Sequence, residues 1–155
     1  MAKKRSEAGA QFGRFIRLIF PAAAILILGF CILFGVFVYK ISYPGMIPES
    51  VDPSHYLLPS LDLAATSDNG DTIEGWWIPG LKGAPGIVLA PGYAMTRSDA
   101  LSLAAGLHNG GFNLFIYDQR GDSDSGRGAS TLGLYEDQDM AGALKLLRDR
   151  PEVNR

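Results

Sequence analysis

The chain has 155 residues, 47% of them apolar, and a formal charge of −2 that is spread unevenly. Six Lys and Arg face Glu7 alone before residue 41, whereas 8 face 15 Asp and Glu after it, a balance of −7. That acidity excludes a nucleic-acid surface, which needs clustered Lys and Arg to displace counterions. The single cysteine, Cys31, excludes an internal disulfide framework or a Cys-ligated metal site.

Residues 1–17 form a basic N-terminus carrying Lys3, Lys4, Arg5, Arg14 and Arg17. Leu18 to Tyr39 is an uncharged run of 22 residues. At about 1.5 Å per residue, a helix of that length crosses the roughly 30 Å hydrocarbon core. The run therefore predicts one transmembrane helix with the lipid bilayer as its partner. Pro21 is expected in its first turn, where a missing N–H costs little. A cleaved signal peptide is the rival, but it needs a small-residue cleavage site that Phe37-Val38-Tyr39-Lys40 does not supply. Five basic residues before the run and Lys40 alone after it favour a cytoplasmic N-terminus. The expectation is a signal-anchored, single-pass protein of the cell membrane, with residues 41–155 outside the cytoplasm.

Residues 40–60 contain Pro44, Pro48, Pro53 and Pro59 and read as an extended, partly stiff linker that includes His55. The folded part, 61–155, opens with an alternating strand at 61–66. Asn69-Gly70 then predicts a tight turn into a second strand at 72–78, so the pair reads as a hairpin. Trp76 and Trp77 point to opposite faces of that strand, and both are core residues only if helices cover both sides of the sheet.

Residues 86–90 form a strand apolar on both faces, as in a buried parallel sheet. A helix at 98–108 follows, with Ala100, Leu103, Ala104 and Leu107 as its inner stripe. Asn109-Gly110-Gly111 closes it, and His108 in the last turn suits the helix dipole. A second buried strand runs from 113 to 117. After a long polar loop, a helix at 134–148 is expected to bury Met140, Ala143, Leu144 and Leu147. Asp137 and Asp139 near its start and Arg148 near its end complement its dipole. Strands alternating with helices predict an α/β unit: an antiparallel hairpin plus two parallel strands with crossover helices.

The turn Ala90-Pro91-Gly92-Tyr93-Ala94, then Arg97-Ser98-Asp99, Gly111-Phe112-Asn113 and Tyr117-Asp118-Gln119-Arg120-Gly121 with Ser125-Gly126 close behind, together resemble the N-terminal part of an α/β-hydrolase domain. In that family, a backbone N–H in the turn after the first parallel strand points at the oxyanion that develops during acyl transfer. The resemblance makes Tyr93 the candidate donor and Ala94 a second one. Pro91 stands where the family usually has histidine. The stretch Asp118, Arg120, Gly121 and Ser125 resembles the family loop that shapes and braces the site without attacking the substrate. The cell-adhesion tripeptide Arg120-Gly121-Asp122 overlaps this loop, which already accounts for it.

The resemblance implies hydrolysis of an ester, thioester or peptide bond in a complete homologue, by a serine, cysteine or aspartate nucleophile, with no cofactor and no metal. No serine in the chain has glycine at both minus two and plus two, so no nucleophile elbow is present. The family's chain order places nucleophile, acid and histidine beyond Arg155. The chain alone is expected to be inactive; the alternatives are an inactive membrane-tethered fragment, a partner-binding module or a mere gene fragment. Without the nucleophile strand, 87–90 is expected to be an open sheet edge that invites self-association.

Overall fold

The computed structural model describes residues 2–44, 51–121 and 128–154. They fall into two units, Met1–Tyr39 and Lys40–Arg155.

Helix α1 (Ala2–Ser42) supplies the first unit and runs on into the second. Its stretch Ile19–Ser42, 24 residues, is long and apolar enough to cross a membrane. Among the described residues from Ile19 to Lys40, every one except Gly29 is exposed. A water-exposed helix this apolar has no core to bury in, whereas a bilayer would cover it. Pro21 lies inside the helix and not in its first turn, because the helix begins at Ala2. Its absent N–H leaves the Arg17 carbonyl without an intrahelical donor.

In the second unit, the stretch read as a linker contains a 3-10 turn, Pro53–Tyr56, capped by the Asp52 carboxylate, which accepts from Ser54 N–H at 2.8 Å. Pro53 and Leu58 are buried. Strands β1 (Leu61–Thr66) and β2 (Thr72–Ile78) form the hairpin where the sequence predicts it. Gly70 takes the positive φ that its turn demands. Then come β3 (Ala84–Leu89), a 3-10 turn at Arg97–Ala100, α2 (Leu101–Asn109), β4 (Asn113–Tyr117), α3 (Glu136–Arg148) and a short β5 (Val153–Asn154).

The sheet order is β1-β2-β4-β3-β5. β2 is antiparallel to β1 and β4, and β3 is parallel to β4 and β5. β5 adds to the expected four strands. It pairs Ala84 with Val153 and Pro85 with Asn154, so it reaches only the first two residues of β3, just before the pairing with β4 begins at Gly86. From Gly86 onward, β4 is the strand paired with β3 among the described residues. This explains why β3 is only partly buried while every residue of β4 is buried.

The sheet has a core on each face. Trp76, Ile78, Leu114 and Ile116 pack with Leu101 and Ala104 of α2 on one side. Trp77, Ile73, Phe115 and Tyr117 pack with Ala143 and Leu147 of α3 on the other. Both tryptophans are therefore buried. Each lies under a guanidinium: Arg97 is 4.3 Å from the Trp76 ring centroid and Arg150 is 5.2 Å from that of Trp77.

Two helical stripes differ from expectation. Leu103 is exposed while Leu101 is fully buried, because residues 97–100 form a 3-10 turn. Such a turn advances about 120° per residue instead of 100°, which shifts the phase of a stripe started at Ala100. In α3 the buried residues are Asp139, Gly142, Ala143 and Leu147, and Leu144 faces out. α3 also starts at Glu136, not Leu134.

Candidate functional site

The parallel strands β3 and β4 end beside two loops, and a crevice at such carboxyl ends is where open α/β sheets bind ligands. The first loop is the turn that follows β3. Met95 N–H donates to the Gly92 carbonyl at 3.0 Å, and Ala94 adopts φ +60°, a left-handed conformation uncommon outside glycine. Pro91 is buried and its carbonyl accepts from the Gln119 side-chain amide at 2.6 Å. Gln119 thus braces the turn from the β4 side, a role the sequence did not reveal. Among the described residues, no acceptor meets the backbone N–H of Tyr93 or Ala94. The Tyr93 hydroxyl donates to the Ile41 carbonyl at 2.7 Å. Downstream, the Asp99 carboxylate accepts from Thr96 N–H at 2.8 Å and closes a capping box at the helical start.

The second loop follows β4. Asp118 N–H donates to the Glu74 carbonyl, and the Asp118 carboxylate lies 3.4 Å from Arg97 Nε. Arg120 is buried. Its Nε and Nη2 donate to the two Asp139 oxygens at 2.7 and 2.8 Å, and Nη2 is also 2.8 Å from Asp71. The hydrogen bond that Arg120 donates to Asp139 leads in raising its already high pKa; burial opposes it. One guanidinium therefore ties the hairpin turn, the β4 loop and α3 together. Asp139, expected as a dipole-complementing acid, is instead 1% exposed and bound to Arg120. Gly121 has φ +92°, and a Cβ there would lie 2.9 Å from that of Ser130. Ser125 lies outside the described residues, so of the predicted loop residues the structure places Asp118, Arg120 and Gly121.

Glu136 organises the far end of this loop. Its carboxylate accepts from Ser130 Oγ, Thr131 N–H, Thr131 Oγ1 and Gly133 N–H, at 3.0, 2.8, 2.6 and 2.8 Å. Burial pushes its pKa up, but those donors, led by Thr131, outweigh burial and hold it at about 2. The carboxylate is thus a fixed anion at neutral pH.

Sequence reasoning also missed Asn113, fully buried at the start of β4. Its oxygen accepts from Gly80 N–H at 2.9 Å, and its amide donates to the Leu81 and Ala84 carbonyls at 3.2 and 3.0 Å. It fixes the loop that delivers β3. His108 Nε2–H donates to the Pro79 carbonyl at 3.0 Å, a structural contact. An open concavity of ≈ 400 Å³ lies on the hairpin, lined by Asp62, Leu63, Ala64, Glu74, Gly75 and Arg97. Among the described residues no group of three His, Cys, Asp or Glu could hold a metal ion.

No family model matches the chain. Over 94 residues it is 32% identical to the uncharacterized protein YfhR of Escherichia coli K12, a match covering 57% of this chain. The chain spans about a third (32%) of that curated relative. Among solved structures, the esterase Pf2001 of Pyrococcus furiosus superimposes with a TM-score of 0.63 and 26% identity, over 75% of this chain and 44% of that one. The α/β hydrolase GrgF from Penicillium sp. sh18 does so at 0.53 and 23%, over 63% of this chain and 35% of that one. The sheet order, the two-faced core and these neighbours agree: the chain has an α/β-hydrolase-like fold, present in part.

Proposed function

We propose that this α/β-hydrolase-like chain is the membrane-anchored, oxyanion-binding part of a hydrolase acting on an ester, thioester or peptide bond. The observation that carries the reading is the turn after β3. It stands at the carboxyl end of a parallel strand, braced by Gln119, with the Tyr93 and Ala94 amides meeting no acceptor among the described residues. Donors fixed before the reaction stabilise a developing oxyanion without reorganising. Asp118, Arg120, Gly121 and Ser125 would shape the site from the β4 side, and the nucleophile, acid and histidine would come from sequence beyond β5. Ile19–Ser42 would cross the cell membrane once, with the basic N-terminus in the cytoplasm and residues 41–155 outside it.

A decisive experiment joins the part of YfhR that follows the matched region to this chain after Asn154. The chimera should hydrolyse an aryl ester and react with a fluorophosphonate, while the 155-residue chain does neither. Tyr93→Pro in the chimera, which deletes the donor, should lower kcat by roughly 10²–10³. Ester turnover by the 155-residue chain itself, lost on substituting one serine, would refute the reading.

A second reading, a tethered module that associates through its sheet edge, draws on the Gly86–Leu89 stretch of β3, where only β4 pairs with it among the described residues. An inactive chain that self-associates in detergent, and whose association Val88→Lys abolishes, would favour it.

A further inference from the structure

The last four carbonyls of a helix lack intrahelical donors and must find others. At the end of α1 two such donors come from the loops that flank the candidate site. The Tyr93 hydroxyl reaches the Ile41 carbonyl at 2.7 Å, and Ser130 N–H reaches the Ser42 carbonyl at 2.8 Å. Both bonds lie within the second unit. α1 stays helical through Ser42, three residues past Tyr39, where the apolar run ends. Three residues advance about 4.5 Å along a helix axis. The headgroup layer on each side of a bilayer is roughly 5–8 Å thick, so Ile41 and Ser42 lie inside that layer if the run is spanning, and any tilt only lowers them.

The same loops carry exposed apolar side chains next to these tethers. Leu132 and Leu134, 66% and 67% exposed, follow Ser130, and Met95, 43% exposed, follows Tyr93. Tyr43 is also exposed, directly after the helix. Tyrosine suits this depth, because its amphipathic ring sits at the headgroup level of a bilayer. Glu136, two residues after Leu134, spends both oxygens on Ser130, Thr131 and Gly133.

We infer that the loops after β3 and β4 dock on the bilayer surface through Tyr43, Tyr93, Met95, Leu132 and Leu134, holding the carboxyl ends of the parallel strands against the headgroup layer. The inference rests on the anchor reading proposed above and adds to it an orientation of the site.

The test uses the full chain in phosphatidylcholine–phosphatidylglycerol vesicles, with an environment-sensitive thiol fluorophore and lipid carrying a nitroxide near the headgroup. Native Cys31, exposed on α1, reports insertion. In a Cys31→Ser background, Leu134→Cys and Met95→Cys report the docking loops. Leu81→Cys is the control, matched in exposure at 68% but at the opposite end of the strands, roughly 15–20 Å away along β3. Labels at 134 and 95 should be quenched by the nitroxide lipid at least twofold more than the label at 81. Equal quenching at 134, 95 and 81 with a lipid-quenched Cys31 label would overturn the docking and leave the anchor standing. A Cys31 label that no lipid nitroxide at any depth quenches would overturn both.

Discussion

Asp139→Ala should be among the most damaging single changes in the folded unit. The side chains of Arg120 and Asp139 are 5% and 1% exposed, and they share two hydrogen bonds of 2.7 and 2.8 Å. Removing the carboxylate strips a buried cation of its closest counter-charge, a change that costs about 3–5 kcal/mol. Asp71 cannot make good the loss, because its side chain is 41% exposed and its pull is screened by water. Asp71→Ala should itself cost about 1 kcal/mol or less. For a folded unit of this size, each kcal/mol moves the midpoint by about 4 °C or more, so Asp139→Ala should lower Tm by at least ~12 °C. The buried indoles of Trp76 and Trp77 report unfolding directly when the chain is heated in detergent micelles. Replacing both partners, Arg120→Met with Asp139→Leu, should recover most of the loss, because no buried charge remains. An Asp139→Ala midpoint within ~3 °C of the parent, or a double variant no better than the single one, would refute the reasoning.

Asn113→Ala should cost about 3 kcal/mol or more in the same assay, since it orphans the Gly80 N–H and the Leu81 and Ala84 carbonyls in a buried place; a loss below about 1 kcal/mol would mean that water replaces the amide. The Glu136 pKa, depressed from 4.5 to about 2, makes a stability contribution that is full above 4.5 and fades as pH falls towards 2. Partly exposed as it is, the group should account for about 1–2 kcal/mol of acid sensitivity. The parent should therefore lose about half or more of its advantage over Glu136→Gln between pH 6 and pH 3, and a constant gap across that range would contradict the assignment.

What the sequence made legible was local. Alternation and the Asn69-Gly70 turn placed the hairpin, and the apolar run placed the long helix. Apolar strands followed by helices predicted the parallel pair. What it hid depends on partners far along the chain. Asp139 stands four residues before Ala143 and eight before Leu147, so the inner stripe of α3 already passes through it. An acid in a first turn looks satisfied by the dipole, however, and nothing local names Arg120 as its partner across the intervening loop. Asn113 resembled one polar residue in an apolar strand until the β2–β3 loop closed over it. Gln119 braces Pro91 only because neighbouring parallel strands bring their ends together. β5 escaped notice because two residues carry no periodicity.

The strand order also sets a timetable for synthesis. β3 leaves the ribosome before β4, yet β4 sits between it and the hairpin, so the two halves of the sheet share no rung until residue 113 has emerged. Until then the nascent chain offers a two-stranded ribbon and a lone apolar segment, each lacking the neighbour that would shelter it. The arrival of five residues, Asn113–Tyr117, joins both at once, which concentrates the cooperativity of the whole unit in its shortest central piece.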